Sequence, residues 1–202
     1  MPSLVDRLCL LAARVHARVE ARARTARCLR SCAVHGEGTR FGVGAEIQNP
    51  SEPQAIELGA GGLLMGRLLV RGGGSIRVGD WCYLGPRSEV WAFERVVIGA
   101  RVFISHGVQI FDNNSHALSA AERHARYREL CEHGRHLAVE SVRTAPVEIG
   151  DDAWLGFNAS VMKGVRIGRG AVIGACSVVV HDVPDFAVAV GNPARVVGKA
   201  QP

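Results

Sequence analysis

From Ile149 to Val180 an aliphatic residue returns at every sixth position: Ile149, Leu155, Val161, Ile167, Ile173 and Val179. An amphipathic helix repeats its apolar face every three or four residues and a half-buried strand every two, so a period of six reflects a unit larger than either. Four of these residues are followed by glycine (Gly150, Gly156, Gly168, Gly174), and the fifth position of each unit is small or apolar (Ala153, Ala159, Val165, Ala171, Ser177). The spacing predicts a stacked repeat, in which no single unit buries its apolar residue alone and neighbouring turns build one continuous core. The glycines are expected at tight corners, where their tolerance of positive φ is useful.

The same phase returns upstream at Leu58, Leu64 and Val70, at Val78, Leu84 and Val90, and at Ile98, Ile104 and Ile110. Successive sets are slightly longer than three hexads, which predicts corner bulges such as Gly72 to Ser75; Phe41 and Ile47 fit a more degraded first turn. One long interruption separates Ile110 from Ile149. It opens with FDNNSH, Phe111 to His116, and Ser119 to Leu137 reads as a short charged helix, with Ser119 and Glu122 spaced as a capping box. At the N-terminus Leu4, Leu8, Leu11, Ala12, Val15 and Val19 form one helical stripe flanked by arginines. The organisation expected is a basic helical leader over residues 1–32, a repeat domain over 33–191 with an inserted loop at 111–147, and a C-terminal tail over 192–202.

The repeat, and above all the segment IGDDAWLGFNASVMKGVRIGRGAVIGACSVVVHDVPDFAVAVGNPARVVG, resembles the hexapeptide-repeat acyltransferases and, among them, the galactoside, maltose and polysaccharide O-acetyltransferase branch. The resemblance runs from about Gly42 to the end. It implies an all-β repeat, a left-handed parallel β-helix of triangular section with an N-terminal α-helix and an inserted loop. The left hand comes from the resemblance, because parallel crossovers are ordinarily right-handed.

Composition narrows the picture. A chain of 202 residues suits one main domain burying about 70% of its unfolded surface. The net charge of +5 belongs to the leader, where Arg7, Arg14, Arg18, Arg22, Arg24, Arg27 and Arg30 face only Asp6 and Glu20; beyond Arg30 the charges balance. Nothing in that distribution calls for nucleic acid. The leader's stripe is expected first to pack on the repeat or on a neighbouring subunit, with contact to an anionic membrane surface as the alternative. Leu8 to Ala13 is too short an apolar run for a secretory signal or a span, so the expected location is the cytoplasm, including the inner face of the membrane. Cys9, Cys28, Cys32, Cys82, Cys131 and Cys176 show no paired spacing and read as small hydrophobes in a reducing compartment.

Acyl transfer from a thioester to an alcohol requires a base for the hydroxyl proton, and histidine serves near neutral pH. His116, just past the last hexad before the interruption, matches the catalytic histidine of the resembling family, with Asp112 as the first choice to orient it and Asn113 or Asn114 as alternatives. His106 reads as structural. The resemblance implies acetyl-CoA as co-substrate with no metal required. It places Trp154 and Gly156 along the coenzyme groove, the Phe157 amide at the thioester oxygen and Ala175 on the pantetheine arm, with Val180, His181 and Arg195 toward the nucleotide end and Lys199 assisting. Val180 and His181 stand where relatives often carry Thr-Lys. Arg87 replaces a sugar-contacting asparagine, which points to a different, anionic glycan; Asn114 is the other acceptor-side candidate. The function implied is transfer of acetyl to a hydroxyl of a sugar or cell-envelope polysaccharide precursor by a homotrimer. The competing classes are a zinc enzyme of the γ-carbonic-anhydrase type, suggested by His106 and His116, and a non-catalytic β-helix scaffold.

Overall fold

The computed structural model describes residues 4–134 and 142–202. The chain winds as a left-handed parallel β-helix whose three faces are three sheets. The first is built from Ala33–Val34, Ile56–Leu58, Ser75–Val78, Arg95–Ile98, Val147–Ile149 and Arg166–Ile167. The second contains Arg40–Phe41, Leu63–Leu64, Tyr83–Leu84, Phe103–Ile104, Trp154–Leu155, Val172–Ile173, Ala187–Gly191 and Ala194–Lys199. The third contains Glu46–Gln48, Arg67–Val70, Glu89–Ala92, Gln109–Phe111, Ser160–Val161 and Val178–Val179.

Register explains the period of six. Leu58, Val78, Ile98, Ile149 and Ile167 are successive partners on the first sheet, and Leu64, Leu84, Ile104, Leu155 and Ile173 on the second. On the third sheet Val90, Ile110, Val161 and Val179 follow one another, but their partner below is Leu68, not Val70, which pairs with Ala92. The early turns take their additional residues at the third-to-first corner, in Arg71 to Gly74 and in Phe93 and Glu94, so the expected bulge is present and the hexad phase slips with it. Phe41 and Ile47 do belong to a first turn, pairing with Leu64 and Leu68. The inward residues form one core. Burying each such Val, Leu or Ile stabilises the fold by about 1.5–3 kcal/mol relative to leaving it in water.

The glycines after the core residues act differently from the expectation. Gly150 and Gly156 are not at positive φ; a Cβ on Gly150 would come within 2.6 Å of the Arg169 amide, and one on Gly156 within 2.7 Å of the Ala175 amide. They are required by the close stacking of the next turn. Positive φ instead falls two residues later, at Trp81, Arg101 and Asp152 on one edge and at Arg87, Gly107, Asn158 and Cys176 on another. On the first of these edges Arg101 clamps Asp152 through Nε at 2.6 Å and Nη2 at 3.0 Å, and that hydrogen bonding holds the Asp152 carboxyl below its usual range.

The C-terminal segment is part of the prism: Ala194–Lys199 pairs antiparallel with Ala187–Gly191. At the other end, helix α1 (Leu4–Leu29) is held by its last turns, where Arg24 Nε donates to the Phe41 carbonyl at 3.2 Å and Cys28 is buried. Among the described side chains of its apolar stripe the expected packing on the repeat is absent: Leu11, Val15 and Val19 are exposed.

Candidate active site

The interruption leaves and re-enters the β-helix at a single corner. Asn113 bridges antiparallel to Thr144, the Asn114 amide donates to the Arg143 carbonyl at 3.1 Å, and the Ala145 amide donates to the Asp112 carbonyl at 2.8 Å. Beyond this neck, Ser119 caps helix α2 (Ala120–His133) by accepting from the Glu122 amide. The helix stops at His133, because Gly134 takes the left-handed conformation at φ 67° and its amide returns to Leu130. The remaining expected helical residues, 135–137, lie outside the described residues.

Asp112 is fully buried, and its carboxylate is occupied. It accepts the backbone amides of Phe93, Glu94 and Arg95 at 2.7–3.0 Å and the side-chain amide of Asn113 at 3.0 Å. Among the described residues no hydrogen bond joins it to His116, so Asp112 closes the third-to-first corner and does not orient the imidazole. Asn113 is similarly used within the loop, its Oδ1 accepting the Ser115 amide at 2.8 Å. Asn114 meets His116 only through the backbone, its carbonyl accepting the His116 amide at 2.6 Å.

His116 is exposed and lines a cleft of about 640 Å³. Trp91, Phe93 and Phe111 give the cleft an aromatic wall, with the Trp91 and Phe111 rings 5.5 Å apart, and Val142 and Ser115 complete one side. Arg71 and Arg126 bring two guanidinium groups to it, and no carboxylate is among its lining side chains. Arg71 donates to Gln48 Oε1 at 2.7 Å and to the Val70 carbonyl at 2.8 Å. Neither arginine is ion-paired among the described residues. Sequence reading missed both, and Trp91 and Phe93 too; the register that puts Trp91 beside Phe111 was the available signal.

The other expected residues lie on different parts of the prism. At the second-to-third edge, the Phe157 ring stacks on His106 with centroids 5.4 Å apart, and Trp154 Nε1 donates to Ser105 Oγ at 3.2 Å. Trp154 and Phe157 are both about half exposed, and Ala175 and Cys176 are exposed on the same edge. Among the described residues the amides of His106, Phe157 and Ala175, one above another, donate no hydrogen bond within the chain. That column can receive carbonyl oxygens from an extended ligand. Gly156 is buried beneath it and serves the stacking described above. Arg87 is exposed on this edge and does not line the His116 cleft. His106 and His116 occupy different edges, so one chain does not bring them together. Among the described residues no three His, Cys, Asp or Glu side chains form a cluster suited to a metal.

The third-to-first edge carries His116 and, two turns on, Val180 and His181. His181 and Arg195 line one depression of about 220 Å³ with Asp182, whose carboxylate accepts the Arg166 amide at 2.8 Å. Val180 is partly exposed beside them, and Lys199 lies at the far end of the final strand. Two groups of expected residues therefore line two neighbouring edges of the prism, one with the imidazole and the His181–Arg195 depression, the other with the free amides.

Residues 146–181 match the family described as bacterial transferase hexapeptide (six repeats). The chain is 30% identical over 164 residues to the probable acetyltransferase Rv3034c of Mycobacterium tuberculosis, a match covering 80% of this chain and 50% of that protein. It is 35% identical over 128 residues to the putative acetyltransferase YJL218W of Saccharomyces cerevisiae, covering 63% of this chain and 57% of that protein. The chain spans about half the length of these curated relatives. The fold is shared with the hexapeptide-repeat acetyltransferase VCA0836 of Vibrio cholerae, solved with acetyl-CoA (TM-score 0.57, 21% identity, 90% of this chain and 78% of that one). It is shared as well with AntD, an N-acyltransferase of Bacillus cereus solved with dTDP and 3-hydroxybutyryl-CoA (TM-score 0.67, 18% identity, 85% of each chain). Over residues 146–181 the chain matches the bacterial transferase hexapeptide repeat, and over 80% of its length it is similar to a protein named as a probable acetyltransferase.

Proposed function

We propose that this protein transfers an acetyl group from acetyl-CoA to a hydroxyl of an anionic sugar or cell-envelope polysaccharide precursor, with His116 as general base. The observation that carries the reading is the exposed imidazole of His116 in an aromatic cleft at the corner where the repeat is interrupted, without a side-chain partner among the described residues. A free imidazole there can accept a substrate proton; Asp112, fully engaged with backbone amides, cannot compete for that task.

In the reaction, the acceptor oxygen attacks the thioester carbonyl carbon while His116 takes the hydroxyl proton. The tetrahedral intermediate collapses with cleavage of the carbon–sulfur bond, and the imidazolium returns the proton to the leaving thiolate. No acyl-enzyme is needed, since among the described residues no nucleophilic side chain is hydrogen-bonded to His116. The Phe157 amide is the candidate donor to the developing oxyanion and the Ala175 amide to the pantetheine arm, because both are unspent and lie on one edge. Arg195 suits the coenzyme phosphates by its charge and forked donors, and His181 lines the same depression.

These groups meet only if a second copy sets its Phe157–Ala175 edge against the His116–Arg195 edge of the first. Trp81, Phe103 and Trp154, exposed on or beside the second sheet, give that assembly an apolar surface to cover, and a closed homotrimer is the arrangement proposed. Two guanidinium groups in the His116 cleft, neither in an ion pair among the described residues, favour an acceptor bearing phosphate or carboxylate beside its apolar part.

The test is turnover of His116→Ala with acetyl-CoA and a panel of sugar acceptors, read by thiol release, with hydroxylamine lability of the product identifying an ester. A fall of about a hundredfold or more with acetyl-CoA affinity nearly intact is expected, the size of a general-base contribution. Turnover near that of the wild type would remove His116 from the chemistry.

A further inference from the structure

We infer that the exposed face of helix α1 binds an anionic lipid surface. The helix spans Leu4–Leu29, and among the described residues it is its last turns that touch the β-helix, through Arg24 and buried Cys28. At 1.5 Å per residue the part ahead of Arg24 extends for roughly 30 Å. On it Leu11, Val15 and Val19 are 59%, 52% and 57% exposed, and their stripe turns away from the side that carries Cys28. No helix among the described residues is long and apolar enough to cross a membrane, so the geometry is that of a helix lying in the interface.

The arginines decide what covers the stripe. At about 100° per residue, Arg18 and Arg22 lie within about 20° of Leu11 around the helix axis, inside the apolar face and not opposite it. A seam between two copies of α1 would bury both guanidinium groups against their own kind, since the only carboxylates on the helix, Asp6 and Glu20, fall on its other side. No ion pair joins Arg14, Arg18 or Arg22 to a carboxylate among the described residues, and all three are exposed. At a lipid surface the same side chains extend from the apolar face to the phosphate plane, while Leu11, Val15 and Val19 enter the acyl boundary. An acceptor carried on a lipid would thereby be met at the membrane by the enzyme's cleft, but the inference stands on α1 alone.

The test is co-sedimentation of the full chain with phosphatidylcholine vesicles and with vesicles containing a quarter phosphatidylglycerol. Binding to the anionic vesicles, weakened by 0.5 M salt and at least about tenfold lower in the Arg14→Gln, Arg18→Gln, Arg22→Gln triple variant, is expected. Val15→Asp is expected to abolish binding while leaving acetyl-CoA binding unchanged, which separates this result from any failure of the transferase reading. Equal partition into neutral and anionic vesicles, or none into either, would overturn the inference. So would a fall in molar mass by light scattering in Val15→Asp without vesicle binding by the wild type, which would make the stripe a seam between copies.

Discussion

The carboxylate of Asp112 accepts the Arg95 amide at 2.8 Å, fastening the end of one turn of the β-helix to the start of the first-sheet strand below. The same oxygen takes the Glu94 amide, and both oxygens take that of Phe93, so one buried side chain satisfies a whole corner. His116, from the same short loop, faces the cleft that this corner supports.

Removing that fastening is therefore expected to cost stability before chemistry. Asp112→Ala leaves three backbone amides unpaired next to the core, a loss of about 3 kcal/mol or more. Urea unfolding followed by circular dichroism is expected to show the lower midpoint, whereas an orienting role alone would leave the midpoint in place and lower turnover.

Gly156 makes a second prediction. Alanine there sets a Cβ within 2.7 Å of the Ala175 amide and 2.8 Å of the Ile173 carbonyl, both backbone atoms that cannot turn aside. The substitution is expected to destabilise the fold by about 1–3 kcal/mol, as overpacking does, and to displace the Phe157 and Ala175 amides. Thermal unfolding and the acetyl-CoA dissociation constant measured together check both effects.

The cysteines divide by burial. Cys9, Cys131 and Cys176 are exposed, and Cys28, Cys32 and Cys82 are buried. Burial raises the thiols of Cys28 and Cys82, and it pushes that of Cys32 up to about 12 with help from neighbouring Cys28. Iodoacetamide at pH 8 is expected to label the first three rapidly and the last three only on unfolding, as peptide mass spectrometry would show. Above pH 9 the unfolded chain gives up protons that the folded chain keeps. The contribution of these thiols to stability is therefore complete below pH 9 and declines toward pH 12, a trend that unfolding midpoints at alkaline pH would reveal.

Arg71 and Arg126 predict acceptor charge preference. Replacing either with glutamine is expected to raise KM for a phosphorylated sugar acceptor about tenfold or more, with little change for its neutral counterpart and little change in kcat. Equal effects on both acceptors would assign the arginines to packing.

The repeat was readable because inward residues at a fixed period are what stacking requires: Ile149, Leu155 and Val161 fall where their spacing puts them. Val70 has the spacing of a core partner for Val90 yet pairs with Ala92, because a corner of variable length shifts phase without changing residue type. The second-position glycines stand out in the sequence, but the reason for them does not. Their need comes from backbone in the next turn, which local sequence does not display. Likewise Asp112 looked like a partner for His116 because the two are close in sequence, while its actual partners, Phe93 to Arg95, lie a full turn earlier. Arg71 and Arg126 reach the cleft from a corner bulge and from the inserted helix, segments with no period from which to place them.

Binding of an acyl-CoA thioester for transfer from the His116 edge is tested most directly by calorimetric titration with acetyl-CoA. Saturable binding at about one per subunit, retained in His116→Ala, is the predicted result. A folded protein that takes up no acetyl-CoA at millimolar concentration would contradict it.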